Sequence, residues 1–206
     1  MKIGVAFSGN DNKNLIIPEI LYQCKENHIS PTCYVLSQNT LSGFLCGLLF
    51  KKSRSNQKLF SQLKQFHISH LHQLATPILV CQKDLLTNQV FYWGNQFSYP
   101  IQIHNPYSFK KLSKQLSRQK PYRCSKYLYC NAPIESKYLF LGLTMLGSEK
   151  SILFEICKQP VQTELVRLNP KQIICRIFIP NNTPYTVQTI IQQYFKRHLI
   201  ELYDVL

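Results

Sequence analysis

Residues 33–50 constrain the fold more than any other stretch of this chain. Cys33-Tyr34-Val35-Leu36 is a short apolar run of the kind that forms a buried strand, and a polar turn through Gln38, Asn39 and Thr40 follows it. Ser42 to Phe50 then reads as a helix, with Gly43 and Gly47 spaced four apart so that one face carries only small residues. A strand that turns tightly into a helix packing back over it is half of an α/β unit.

The remaining pattern repeats that alternation. Lys2 to Phe7 reads as a buried strand and Leu15 to Glu26 as a helix, with apolar residues at Leu15, Ile16, Ile20, Leu21 and Cys24. Lys58 to Leu74 has amphipathic helical spacing. Pro77 to Gln82 reads as a strand that turns through Asp84 to Gln89 into a second strand, Val90 to Trp93, as a hairpin does. Phe109 to Arg118 reads as a basic helix. Two strands are expected between Tyr138 and Phe154 around Gly147-Ser148, a β-branched strand over Gln172 to Ile179, and a terminal helix over Tyr185 to Val205. With no repeat and no long linker, residues 1–206 are expected to form one α/β domain, a three-layer α/β/α sandwich around a mostly parallel sheet.

Composition excludes several classes. An apolar fraction of 45% and a charged fraction of 17% describe a folding chain, not a disordered one. No apolar run reaches the ~20 residues of a membrane-spanning helix, and no leader is visible before the first strand, so a cytoplasmic protein is expected. Eight cysteines, at 24, 33, 46, 81, 124, 130, 157 and 175, show neither a Cys-x-x-Cys pair nor zinc-site spacing. In apolar surroundings they act as small hydrophobes. His67, His70 and His72 cluster without a carboxylate or Cys beside them, and Gly9 stands alone without a phosphate-binding loop. No metal and no cofactor are expected.

Net charge is +14, and Asp occurs only at 11, 84 and 204. The positive charge is densest at Lys110, Lys111, Lys114, Arg118, Lys120, Arg123 and Lys126, with no acidic residue among them. A smaller group, Lys51, Lys52, Arg54 and Lys58, follows the residue 42–50 helix. Such a run reads as a solvated helix face or as a surface for anionic lipid, with Phe109, Tyr122, Tyr127 and Tyr129 as interfacial aromatics. Nucleic acid is the weakest reading, because no recognised binding motif accompanies the charge.

Three segments together resemble the patatin-like phospholipases. Lys2 to Asn14 is similar to that family's first strand and its Gly-Gly-Gly-x-[Arg/Lys]-Gly oxyanion loop: Gly9 and Lys13 match, while Asn10, Asp11 and Asn14 replace glycines, Asn12 lying between them. Asn and Asp tolerate left-handed backbone best after Gly. Asn39 to Gly47 resembles the Gly-[Thr/Ser]-Ser-x-Gly-Ala nucleophile elbow. The register matching Thr40, Gly43 and Gly47 puts Asn39 on the first Gly and Leu41 on the nucleophilic Ser. Thr76 to Asn88 is similar to the family's Ala-Thr-Asp-Leu-x-Thr-Gly turn through Asp84, Leu85 and Thr87.

The resemblance implies a Ser–Asp dyad in which the carboxylate activates a hydroxyl and backbone amides hold the oxyanion. This chain departs from that pattern at each part. Leu41 is no nucleophile, the oxyanion loop is poor in glycine, and no Asp lies between Asp84 and Asp204. Glu155 is the only carboxylate near the place of the family's second catalytic residue. The expectation is a patatin-like fold without hydrolase activity, serving as a lipid- or acyl-binding or regulatory protein. The alternative is an active acyl hydrolase in a shifted register, with Thr40 or Ser42 as nucleophile and Glu155 as base; Ser37 also flanks the elbow.

Overall fold

The computed structural model describes residues 1–9, 16–49, 74–84, 90–95, 122–124, 127–130, 134–180 and 186–206. In chain order the elements are β1 (Ile3–Gly9), α1 (Ile16–Glu26), β2 (Cys33–Ser37), a 3-10 turn (Gln38–Thr40), α2 (Leu41–Leu49), β3 (Ile78–Asp84) and β4 (Val90–Gly94). They continue with β5 (Tyr122–Cys124), β6 (Tyr127–Cys130), α3 (Ser136–Met145), β7 (Lys150–Cys157), β8 (Leu165–Asn169), β9 (Gln172–Phe178) and α4 (Val187–Val205). The strands join in one nine-stranded sheet, ordered β5-β6-β3-β2-β1-β7-β9-β8 with β4 also on β3. The central run β3-β2-β1-β7-β9 is parallel throughout; β4, β5, β6 and β8 pair antiparallel. The chain is thus α/β with a mostly parallel sheet core.

The near-continuous apolar runs Val5-Ala6-Phe7, Tyr34-Val35-Leu36 and Ile152-Leu153-Phe154 are what a strand covered on both faces requires. On one face Val5, Phe7, Leu36, Phe154 and Cys175 pack beneath α1, α2 and α4, which contribute Ile20, Phe44, Ile191 and Phe195 among others. Phe7, Phe154 and Phe195 stack in sequence there, with ring centroids 5.7 and 5.9 Å apart. On the other face Ala6, Val35, Leu79, Leu153 and Ile174 pack against Leu139, Phe140 and Leu143 of α3. Helices therefore lie on both faces.

One expectation is overturned. The two strands foreseen between Tyr138 and Phe154 are a helix and a strand, α3 and β7. Leu139, Phe140 and Leu143 share a helical stripe, and Gly142 lets that stripe sit on the sheet: a Cβ there would lie 3.0 Å from Val35 Cγ1. Gly147, at φ +78°, ends the helix instead of turning a hairpin. Its N–H donates to the Thr144 carbonyl, and that of Ser148 to the Leu143 carbonyl, the Schellman pattern. Strands β5, β6 and β8 were not foreseen. The helices expected over 58–74 and 109–118, apart from Leu74, and turn residues 85–89 lie outside the described residues.

Candidate functional site

The strand-turn-helix of residues 33–49 forms as its pattern requires, with the 3-10 turn at the carboxyl end of β2 and α2 beginning at Leu41. Thr40 is wholly buried, and its Oγ1 donates to the Ser37 carbonyl at 2.8 Å and, more weakly, to the Phe7 carbonyl at 3.3 Å. The hydroxyl therefore braces the turn against β1. Leu41 is also buried, in the cluster that holds Phe7, Phe44 and Leu45, so the apex side chain belongs to the core. Gly43 is buried, Asn39 is half-buried and Ser42 lies in the first turn of α2. Gly47 serves packing: a Cβ would stand 2.6 Å from Leu21 Cδ1 and 3.0 Å from Pro18 Cα, so its absence lets α1 and α2 approach.

Gly9 closes β1 at φ +92°, and a Cβ there would run into the Ile156 carbonyl of β7. Only glycine meets both conditions. Asn10, Asp11, Asn12 and Lys13 lie outside the described residues, as do Lys110, Lys111, Lys114, Arg118, Lys120 and Lys126; Arg123 falls in β5. His67, His70 and His72 also lie outside them, and among the described residues no group of three His, Cys, Asp or Glu could hold a metal ion.

Glu155 is committed elsewhere. Arg176 Nε donates to its Oε2 at 3.0 Å, across the β7–β9 pair Glu155↔Arg176. Alternation along β7 places Phe154 and Ile156 on the three-helix face, and Leu153 and Glu155 on the α3 face. The structure thus brings Thr40 and Leu41 together and puts Glu155 on the opposite side of the sheet from Leu41. Burial also takes three of the described thiols out of chemistry: it pushes Cys175 up to about 12 and Cys24 and Cys81 higher still.

Beside Ser37 and Glu155, sequence reasoning missed Ser8 and Arg176, which complete a polar row on the α3 face. Ser8 pairs with Glu155 and Glu155 with Arg176; Ser37 lies beside Ser8, one residue beyond the Phe7↔Leu36 pair. Ser37, Ser8, Glu155 and Arg176 therefore run side by side along the carboxyl ends of β2, β1, β7 and β9. Between β1 and β7 the strand order reverses, β1-β2-β3 growing to one side and β7-β9 to the other. In open α/β sheets such a point opens a crevice at the carboxyl ends of the strands. The signal was present in the run Ile173-Ile174-Cys175-Arg176-Ile177, where an Arg interrupts an otherwise apolar strand. No protein-family model matches this chain, and no curated protein matches it.

Proposed function

We propose that this chain is a diverged α/β/α protein of the patatin-like type that binds an acyl lipid without hydrolysing it. One observation carries the reading: the elbow is kept as a frame, while Thr40 braces it and Leu41 fills the core behind it. A hydroxyl that donates to two carbonyls, with no carboxylate hydrogen-bonded to it among the described residues, has no base there to activate it. Glu155, the fallback base, is held by Arg176 on the other face. The shifted-register hydrolase finds no support in this arrangement.

The protein acts, on this reading, in the cytoplasm at anionic membrane surfaces. No helix among the described residues is long and apolar enough to cross a membrane. Residues 50–73 and 96–121 carry ten Lys and Arg and no Asp or Glu. The end of the first segment and the start of the second meet beside β3, since Asn95 accepts from Ile78 N–H at 2.8 Å and donates to the carbonyls of Leu74 and Thr76 at 3.0 and 2.9 Å. Charge of this kind is drawn to anionic headgroups at about 1 kcal/mol per basic side chain near the surface.

Co-sedimentation tests the reading. The chain is expected to pellet with phosphatidylcholine vesicles containing phosphatidylglycerol and to be released as salt rises and the Debye length shrinks. It is expected to leave short- and long-chain p-nitrophenyl esters unhydrolysed. Turnover abolished by Thr40→Val or Ser42→Ala overturns the non-hydrolytic reading; absence of pelleting overturns the membrane reading.

A further inference from the structure

We propose that Glu155 and Arg176 form a binding site for a small zwitterion, a primary ammonium carried close to a phosphate or carboxylate, with the ammonium on Glu155 and the anionic end on Arg176. The inference goes beyond the acyl-lipid reading and does not need it, since the site asks only for the two charges.

The way the chain leaves the sheet opens this site. From the carboxyl ends of β1, β2 and β9 the chain passes to α1, α2 and α4, and all three helices pack on the same face. On the opposite face α3 packs chiefly on β1 and β2, which leaves the carboxyl ends of β7 and β9 at its flank. Exposure follows. β7 is a central strand, paired along its length with β1 and β9, and Ser151 to Phe154 are buried in it. Yet the next side chain, Glu155, is 37% exposed, and Arg176 beside it is 36% exposed. A charged pair that meets water in the middle of a sheet, at the point where the strand order reverses, lies in the crevice expected there.

The pair is only partly used. Arg176 Nε donates to Glu155 Oε2 at 3.0 Å, and among the described residues nothing else bonds either side chain. An Arg–carboxylate pair that serves structure alone favours two parallel bonds. Here Glu155 Oε1 and both terminal nitrogens of Arg176 are left for a ligand.

Charge balance selects the ligand. A simple anion drawn to Arg176 meets the Glu155 carboxylate beside it, and a simple cation drawn to Glu155 meets the guanidinium, so each loses most of its attraction. A zwitterion lays each end on its opposite and gains from both. A primary ammonium also brings N–H donors for Oε1, which a quaternary one lacks.

Cys157 stands next to this pair. It follows Glu155 by two residues on the same face, and it pairs with Phe178, two residues beyond Arg176. Burial and then the Glu155 carboxylate push its thiol up, while Arg176 draws it down. A ligand seated on the pair therefore shields the thiol.

Calorimetric titration of the full chain at fixed ionic strength with phosphoethanolamine and with β-alanine, which share a two-carbon spacer, tests the site. Ethyl phosphate, without the ammonium, and phosphocholine, whose ammonium has no N–H, are expected to bind at least about 10-fold more weakly than phosphoethanolamine, the worth of one hydrogen bond to a charged group. The double change Glu155→Gln with Arg176→Gln is expected to weaken the tighter zwitterion by at least as much, with the melting temperature level. The same zwitterion should slow iodoacetamide alkylation of Cys157 in the unaltered protein. Binding of neither zwitterion overturns the proposal. Ethyl phosphate binding as tightly as phosphoethanolamine overturns it too, by assigning the binding to basic side chains alone. So does unchanged affinity in the folded double variant, or Cys157 left unshielded at saturation; the ligand series and the shielding decide even if that variant does not fold. Competition names the source: monomeric dihexanoyl phosphatidylethanolamine displacing phosphoethanolamine far better than phosphoethanolamine itself does identifies a lipid head, and equal displacement a free zwitterion. Pelleting with anionic vesicles calls on neither residue, so the two proposals fail separately.

Discussion

The two faces of the sheet are built from the same strands yet differ in how they are finished. The three-helix face is apolar from one end of the strands to the other, with Val5, Phe7, Ile152, Phe154, Ile156, Ile173, Cys175 and Ile177 all buried. The α3 face is apolar only up to Ala6, Val35, Leu153 and Ile174, and then turns polar at Ser8, Ser37, Glu155 and Arg176. One face closes on itself as scaffold. The other stops being a core one residue short of the edge where the strand order reverses. Burying hydroxyls and an ion pair gains little stability, so the polar end of the α3 face is where a functional reading belongs.

The largest effect is expected on the scaffold face. Phe154→Ala removes the middle ring of the Phe7–Phe154–Phe195 stack and should cost about 3–5 kcal/mol in a urea titration. A loss under about 1 kcal/mol would mean that the three-helix face is not the close-packed side. Gly9→Ala, at φ +92° against Ile156, should cost about 1–3 kcal/mol by the same measurement. Thr40→Val keeps shape and loses the donor to Ser37 and Phe7, with an expected cost of about 1–3 kcal/mol. Thr40→Ser should recover most of that loss if the hydroxyl is a brace.

Smaller effects belong to the polar face. Because Glu155 and Arg176 are each about a third exposed, removing both charges should change stability by no more than about 1 kcal/mol. Thiol accessibility divides the faces as well. Cys157, half-buried on the α3 side, should react with iodoacetamide in the folded protein before Cys24 and Cys175, which are sealed in the three-helix face with their thiols pushed up by burial. Mass spectrometry of the labelled peptides checks the order.

Much of this architecture was legible beforehand because the parallel strands are short apolar runs closed by polar turns. The residue 33–49 strand-turn-helix, the β3–β4 hairpin and the terminal helix fall within a few residues of their expected bounds. Segment 138–154 was misread because a Gly-Ser pair serves a hairpin and a Schellman helix end equally well, and only packing on Val35 decides between them. The candidate site was less legible for a different reason. The elbow pattern names Thr40 and Leu41 as neighbours but not where their side chains go, and that depends on Phe7 and Ser37. Glu155 and Arg176 are 21 residues apart, and strand register alone makes them partners.

On the non-hydrolytic reading proposed above, the elbow at Gln38–Leu41 is a structural brace with no reactive hydroxyl. Intact-mass and peptide mapping of the folded chain after exposure to a fluorophosphonate tests it most directly. No adduct is expected on Thr40, Ser42 or Ser37, and Thr40→Val is expected to be as free of adduct as the unaltered protein. A stoichiometric adduct on any of the three, lost when that residue is changed while the protein stays folded, would contradict it.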